Sequence, residues 1–294
     1  MKQLTKEQRC AVIRCLVDGC SIRATVRITG ISKNTIQKLT RELGEACLEF
    51  QHQAFRNLHC KRVECDEIWN FCYCKDKNVP DEMKGEPGVG SMWTWTALCA
   101  DTKLLFAWQL GSRDSANAYM FMSTVVERLA NRVQLTTDGN RVYLDAVENY
   151  FGSKIDYAML IKVYGKPDEK PDTRYSPAKC LGAKKHAVMG NPDPDFVSTS
   201  YAERQNLNIR MNNRRFTRLV NAFSKKADML AYSIAIMFMY HNFVRIHQTL
   251  RSTPAMKAGV SDHKWSIEEM VDLLPLIVAK KRGKYRPRQK QISN

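Results

Sequence analysis

The sequence predicts an α/β protein that has a mixed sheet with flanking helices and is preceded by an all-helical segment. Apolar residues recur at helical spacing through the first 43 residues, strand and helix patterns alternate between residues 61 and 163, and helical patterns return after residue 199. A chain of 294 residues is long enough for one large domain and a smaller one. We therefore expect two structural units.

The N-terminal segment has the pattern of a helix-turn-helix. Residues 4–17 and 21–28 predict two helices, Gly30 permits a tight left-handed turn, and Ser32 can cap a third helix over residues 33–43. A helical bundle without a DNA role is the alternative. The polar outer face of the third helix favours contact with a DNA major groove through Lys33, Asn34, Thr35, Gln37, Lys38 and Arg41.

A linking helix over residues 45–58 leads to a β-β-β-α-β-α-β order. Its elements are strands at 62–71, 92–100 and 104–110, a helix at 115–131, a strand at 132–137, a helix at 141–150 and a strand at 155–163. Residues 164–198 hold five of the ten prolines without clear periodicity, which predicts a loop or insertion. Helices over residues 199–213 and 224–244 complete the predicted layout.

This order describes a ribonuclease-H-like (integrase-type) layer, in which the first and fourth strands are parallel neighbours. Asp66 lies in the first strand and Asp138 at the end of the fourth, so the two carboxylates should meet. Such carboxylates repel unless a cation lies between them, and Mg²⁺ or Mn²⁺ prefers oxygen ligands. Glu203 is the only acidic residue between Asp195 and Asp228, and we expect it to supply the third ligand.

Three motifs resemble the transposases of the insertion-sequence-1 family, which are DDE recombinases of bacterial mobile elements. They surround Asp66 (Cys-Asp-Glu-Ile-Trp), Asp138 (Thr-Asp-Gly) and Glu203 (Tyr-Ala-Glu-Arg-Gln-Asn-Leu-Asn-Ile-Arg), in that order. The resemblance runs from about residue 61 to residue 259. It implies that Asp66, Asp138 and Glu203 form the catalytic, metal-binding triad, with Mg²⁺ as cofactor and the DNA ends of the element as substrate.

The chain departs from the family pattern in two places. The best-known members have a zinc finger before the helix-turn-helix, and this sequence has none. The 64 residues between Asp138 and Glu203 exceed the spacing of a compact core, which locates the insertion near residues 165–195. From the residues alone, Glu64 and Glu67 remain alternatives to Asp66 as the metal ligand on the first strand.

The charge distribution predicts nucleic acid as the partner. The formal net charge is +16, and three segments are strongly basic: residues 1–43, 199–226 and 279–294. Clustered positive charge is typical of proteins that bind a polyanion, although a solvated face is the alternative. We expect phosphate contacts from five arginines on the helix that carries Glu203: Arg204, Arg210, Arg214, Arg215 and Arg218.

These observations predict four segments: a helix-turn-helix domain (1–43), a linker helix (44–60), a catalytic domain (61–259) and a C-terminal helix with a basic tail (260–294). Without an apolar stretch typical of a signal peptide or a membrane span, we expect a cytoplasmic, nucleoid-associated protein with free cysteines. The hypothesis is a transposase that binds terminal repeats and target DNA as a homo-oligomer, at least a dimer. The alternatives are a non-catalytic DNA-binding regulator and a ribonuclease-H-like nuclease.

Overall fold

The protein folds around a six-stranded mixed sheet. A computed structural model describes residues 4–165 and 180–275 of the chain. The strands are β1 (Arg62–Cys72), β2 (Gly90–Cys99), β3 (Leu105–Gly111), β4 (Gln134–Asp138), β5 (Asp156–Tyr164) and β6 (Cys180–Met189).

The strand order is β3-β2-β1-β4-β5-β6. Strands β1, β2 and β3 form an antiparallel meander, β4 pairs parallel with β1, and β5 pairs parallel with β4. The meander and the parallel pairing of the first and fourth strands are therefore confirmed. Because β1 and β4 are hydrogen-bonded neighbours, the strands that carry Asp66 and Asp138 lie side by side in the middle of the sheet.

Helices cover both faces of the sheet. They are α1 (Lys6–Val17), α2 (Ile22–Thr29), α3 (Lys33–Ala54), α4 (Ser115–Arg128), α5 (Val142–Phe151), α6 (Ser200–Asn212), α7 (Ala227–Met239), α8 (Pro254–Lys257) and α9 (Ile267–Asp272). On one face, Trp95 of β2 packs against Phe121 of α4 and Tyr143 of α5. On the other, Ile68 of β1 joins a buried cluster with residues of α6 and α7.

Helix α3 is longer than the sequence predicts. The expected end at residue 43 is wrong, because the helix continues through Gly44 to Ala54 and includes residues 44–54 of the predicted linker. Gly44 lies inside the helix, and the absence of a side chain allows α3 to approach α7 at Tyr232. Val12, Ile36 and Leu43 belong to the same buried cluster as Trp95. The N-terminal helices therefore share a core with the sheet.

The Gly44 contact predicts an unusual effect on stability. Gly→Ala inside a helix ordinarily stabilises by roughly 1 kcal/mol. Here a Cβ atom at position 44 would lie 2.4 Å from Tyr232 Cβ, so we expect Gly44→Ala to destabilise the protein by about 1–3 kcal/mol. Urea unfolding measures the change. Gly182→Ala is the control, since a Cβ atom there would meet nothing within 4 Å, and equal effects of the two variants would contradict the prediction.

The region predicted as a loop or insertion contains strand β6. It pairs antiparallel with β5, so the expectation of a loop throughout residues 164–198 is wrong for residues 180–189. Cys180 to His186 are exposed on both faces of the strand, which removes the alternation of apolar and polar residues by which a half-buried strand is recognised. Residues 166–179 of the predicted insertion lie outside the described residues.

Helix α7 is followed by a turn of π-helix at residues 240–244. This turn holds His241 in the interior, where its Nε2 lies 3.2 Å from the carbonyl oxygen of Lys103 and donates to it. Burial lowers the pKa of His241 to about 4, from an ordinary value of 6.5. The imidazole is therefore neutral in the folded protein at neutral pH.

Buried His241 predicts acid sensitivity. Below about pH 6.5 the unfolded chain binds a proton that the folded chain does not accept until about pH 4, so stability is lost as pH falls through this window. From near pH 7 to near pH 5, we expect this group to cost about 2 kcal/mol, at ~1.36 kcal/mol per pKa unit. Urea unfolding of the parent and His241→Asn at both pH values measures it. The same loss in both proteins would contradict the prediction.

The C-terminal part of the described chain returns to the N-terminal helices. Lys6 and Arg14 of α1 form ion pairs with Asp272 and Glu268 of α9. The predicted basic tail lies outside the described residues. All ten cysteines fall within them and none forms a disulfide, as expected. Among residues 4–165 and 180–275, no helix is both long and apolar enough to cross a membrane.

Candidate active site

Two neighbouring strands bring Asp66 and Asp138 together. Glu64 of β1 is level with Thr136 of β4, so Asp66 and Asp138, each two residues further along, point to the same face of the sheet. One oxygen each of Asp66, Glu67 and Asp138 lies within 4.8 Å of the others. The structure therefore brings together two of the three predicted ligands, and it adds Glu67, one of the alternatives.

The environment of this acidic cluster disfavours three negative charges. Burial, followed by the charges of Glu67 and Asp138, raises the pKa of Asp66 to about 7. Burial and the charge of Asp138 also raise the pKa of Glu67. An opposite charge beside these carboxylates opposes both shifts, because it stabilises the ionised forms.

Arg113 supplies part of that opposite charge. Its guanidinium lies 3.0 Å from Glu67 Oε2 and 3.1 Å from Asp138 Oδ2, and it stacks over the ring of Trp93. Arg113 follows β3 directly and reaches the cluster from the sheet face that carries Glu67. Sequence reasoning missed it, because nothing in the local pattern indicates where a side chain that follows an edge strand will point.

Helix α6 covers the face of the sheet that carries Asp66. The amide Nδ2 of Asn206 donates to Asp66 Oδ2 over 2.8 Å, and the backbone N–H of Glu67 donates to Asp66 Oδ1 over 2.8 Å. Asn206 lies three residues after Glu203, so both occupy one face of the helix. That spacing was a signal in the sequence by which Asn206 could have been found.

Glu203 lies in the first turn of α6 but outside the acidic cluster. Its carboxylate accepts a hydrogen bond from Thr199 Oγ1 and forms an ion pair with Lys162 of β5, both at 2.6 Å. Lys162 lies two residues beyond Leu160, which pairs with Asp138, so it points to the same face as the two aspartates. In this arrangement Glu203 is neutralised by a lysine at the edge of the site.

Glu64, the other alternative ligand, holds the start of α6. Its Oε2 accepts from the backbone N–H groups of Tyr201 and Ala202, at 2.8 and 3.0 Å. Burial raises the pKa of Glu64 to about 7. Its carboxylate is therefore engaged in positioning the helix that carries Glu203 and Asn206.

Several polar atoms at the site lack a partner among the described residues. They are buried and comprise two acceptors, Glu67 Oε1 and Asn206 Oδ1, and two groups that can donate, Asn140 Nδ2 and the hydroxyl of Tyr143, which lies near Glu67. Orphaned oxygens beside three clustered carboxylates fit a hard divalent cation, which takes oxygen ligands. Asp66 and Asp138 could hold such an ion, with Glu67 inside the cluster or Glu203 on α6 as the third carboxylate.

The predicted DNA-binding residues of the N-terminal segment occupy the first three turns of α3. Gly30 has the left-handed conformation expected of the turn, with φ of +68°. Lys33, Asn34, Lys38 and Arg41 are exposed, whereas Thr35 and Gln37 are half-buried. Thr35 forms a hydrogen bond with the capping residue Ser32.

The five predicted phosphate-binding arginines do not share one helix. Helix α6 ends at Asn212, where Asn213 becomes extended and its side chain accepts from the backbone N–H of Arg215. Arg204 and Arg210 are on the helix, whereas Arg214 and Arg215 form a single 3-10 turn and Arg218 follows in a loop. The guanidinium of Arg215 points inward to Ser224, and burial lowers its pKa to about 10.

No model of a known protein family and no curated protein matches this chain. Solved structures that resemble it include three complexes of transposases. The alignment with the piggyBac transposase synaptic complex with hairpin DNA covers 93% of this chain and 71% of the piggyBac chain, at 10% sequence identity and a TM-score of 0.39. The alignment with the Mos1 strand transfer complex covers 51% of this chain and 57% of the Mos1 chain, at 14% sequence identity and a TM-score of 0.21. The alignment with the Mos1 mariner paired end complex with Mn covers 51% of this chain and 58% of the Mos1 chain, at 12% sequence identity and a TM-score of 0.21. At these identities and TM-scores, the similarity assigns no function to this chain.

Proposed function

We propose that this chain is the DNA transposase of a bacterial-type insertion sequence, which cuts the DNA ends of its element and joins them to target DNA. The observation that carries the proposal is the meeting of Asp66 and Asp138 from parallel neighbouring strands of a six-stranded mixed sheet, with oxygens within 4.8 Å. Glu203 approaches the same face on α6. A buried acidic cluster in a protein of net charge +16 fits a metal-dependent reaction on DNA.

The proposed triad is Asp66, Asp138 and Glu203, with Mg²⁺ or Mn²⁺ as cofactor. When bound, such ions activate an attacking oxygen and stabilise the leaving oxygen of an in-line displacement at phosphorus. The chain's own residues orient these ligands. Asn206 fixes Asp66 by its amide, and Glu64 anchors α6 by accepting from its first N–H groups. Lys162 neutralises Glu203 beside the sheet until an ion displaces it.

The proposed reaction has two phosphoryl transfers. In the first, a water oxygen forms a bond to phosphorus at the element's end, the bond from phosphorus to the 3′ oxygen breaks, and that oxygen leaves as a 3′-hydroxyl. In the second, the 3′-hydroxyl oxygen attacks a phosphorus of target DNA and loses its proton. The bond from that phosphorus to the target 3′ oxygen breaks, and the displaced oxygen takes up a proton and leaves as a 3′-hydroxyl. No redox partner is required in either step.

The N-terminal helices are proposed to recognise the ends of the element. Helices α2 and α3 meet at Gly30 in the manner of a helix-turn-helix, and the exposed start of α3 presents Lys33, Asn34, Lys38 and Arg41. Two ends must be held for joining, so we propose a homo-oligomer, at least a dimer, on DNA. The proposed place of action is the cytoplasm, at the nucleoid.

Cleavage of end-labelled DNA tests the function. The purified chain is incubated with duplexes from the DNA that flanks its gene on either side, with Mg²⁺, with Mn²⁺ or with EDTA. We expect cuts at discrete positions with either metal, none with EDTA, and joining of the labelled 3′ end to an added plasmid.

Two other results would replace this proposal. Protection of the flanking DNA without cleavage under either metal would indicate a DNA-binding regulator. Cleavage of unrelated duplexes or of RNA–DNA hybrids at equal rates, without joining, would indicate a nuclease.

A further inference from the structure

A cleft of about 1050 Å³ separates the N-terminal helices from the segment after α6. One wall is the start of α3 with the turn before α2. The other wall is formed by residues 213–215 and 220–226, and α7 lies at the base. These three parts of the chain are far apart in sequence, so neither the helix-turn-helix pattern nor the arginine-rich segment predicted that they face each other.

Every charged residue that lines this cleft is basic. Arg23, Lys33, Lys38 and Arg41 line the first wall, and Arg214, Lys225 and Lys226 line the second. No aspartate or glutamate is among the lining residues. Of this set, Lys38 has an acidic partner outside the cleft, Glu42 at 3.6 Å. Facing walls of one charge repel each other unless an anion lies between them.

The two walls are held in place by contacts with the core. Gln51 of α3 donates to the carbonyl oxygen of Ala235 in α7 over 3.0 Å, and Gly44 contacts Tyr232. On the opposite side, the carbonyl oxygen of Ser224 accepts from the backbone N–H of Tyr73, just after β1, over 2.9 Å. These contacts hold the two walls in place against their electrostatic repulsion. The cleft is therefore already formed before any partner binds.

We propose that this basic cleft binds one segment of duplex DNA, so that α3 and residues 214–226 contact the same molecule at the same time. This proposal rests on the proposed function and deepens it, because it joins two surfaces that the sequence treats as separate. Asn34 and Gln37 on the first wall add amide groups of the kind that pair with adenine edges. Lys225 and Lys226, on the opposite wall, become phosphate contacts.

The salt dependence of DNA binding tests the cleft. Binding of a fluorescein-labelled duplex of arbitrary sequence is followed by anisotropy in EDTA, where no cleavage occurs. The logarithm of the affinity falls with the logarithm of salt concentration by about 0.9 per neutralised phosphate. We expect the slope to shrink by about 2 in Lys33→Gln with Arg41→Gln, by about 2 in Lys225→Gln with Lys226→Gln, and by about 4 in the fourfold variant.

The controls separate the cleft from general charge. Lys257 and Lys264 are exposed and do not line the cleft, so Lys257→Gln with Lys264→Gln should leave the slope unchanged. A single binding phase, lost in parallel from either wall, supports one shared duplex. Two phases that respond separately to the two walls, an unchanged slope in either pair, or tighter binding of a single strand than of the duplex would each overturn the proposal.

The two proposals can fail independently. Metal-dependent cleavage with unchanged salt-dependence slopes would contradict DNA binding in the cleft but would still support the transposase function. The expected slopes without cleavage under either metal would leave the cleft as the DNA site of a regulator.

Discussion

Replacing Asp138 by Asn is expected to abolish metal-dependent DNA cleavage while DNA binding stays the same or becomes tighter. Asp138 is the carboxylate that β4 brings beside Asp66. Loss of one ligand charge should remove about 4 kcal/mol of transition-state stabilisation, which is roughly a thousandfold in rate. Binding should not suffer, because the variant removes a negative charge that faces a polyanion.

The substitution is conservative for the fold. An asparagine at position 138 keeps a side-chain oxygen, which can still accept from the backbone N–H of Asn140, as Asp138 Oδ1 does at 2.9 Å. Thermal unfolding should therefore change little. Single-turnover cleavage of labelled duplex measures the rate, and anisotropy in EDTA measures binding.

Asp145→Asn is the matched control for Asp138→Asn. Asp145 lies on the exposed side of α5, close in sequence but without a place in the acidic cluster. We expect it to cleave at the parent rate. Normal cleavage by Asp138→Asn would remove Asp138 from the mechanism and, with it, the observation on which the proposed function depends.

The parts of the fold that follow from local patterns were predictable. Strand periodicity and the short β2–β3 connection predict the meander, and the β-α-β order predicts that β4 lies parallel to β1. The meeting of Asp66 and Asp138 was predicted from these two facts together with the ribonuclease-H-like strand order, in which the first and fourth strands are neighbours. It required no knowledge of any side-chain contact.

The parts that depend on tertiary contacts were not predictable. Gly44 has the residue type that often follows the end of a helix, but here it lies within α3 at the close contact with Tyr232. Strand β6 lacks the alternation that a buried face imposes. The end of α6 at Asn212 depends on a local hydrogen bond of Asn213, which competes with the helix.

The same distinction applies to the site. The sequence supplies the acidic residues but not their counter-charges, because Arg113 and Lys162 reach the carboxylates across the sheet. Arg113 pairs with Glu67 and Asp138, whereas Lys162 pairs with Glu203. An acidic residue that is conspicuous in a basic stretch, as Glu203 is, can therefore be paired with a lysine that lies 41 positions earlier in the chain.

Glu203 and Glu67 compete for the place of the third carboxylate, and paired variants separate them. Glu67 has an oxygen inside the acidic cluster, whereas Glu203 is held by Lys162. If Glu203 is the third ligand, Glu203→Gln lowers the cleavage rate by roughly a thousandfold. Glu67→Gln should retain cleavage within about tenfold, or about 1.4 kcal/mol, because glutamine keeps an oxygen that can accept the hydrogen bond from Arg113.

The structural reason for favouring Glu203 is the direction of the side chains. Residues 66 and 67 are consecutive in β1 and point to opposite faces, so Glu67 shares its side of the sheet with Arg113 and Tyr143. Glu203 shares the face of Asp66 and Asp138, and Asn206 on the same face of α6 already contacts Asp66. Lys162 must then release Glu203 when an ion binds.

Titration with Mn²⁺ in the absence of DNA gives a second measurement for the same pair. If Glu203 is a ligand, Glu203→Gln weakens Mn²⁺ binding and Glu67→Gln changes it little. The reverse order, in both Mn²⁺ affinity and cleavage, would make Asp66, Glu67 and Asp138 the ligand set. The ion pair of Glu203 with Lys162 would then be part of the fold, and the third position of the triad would lie on β1 rather than on α6.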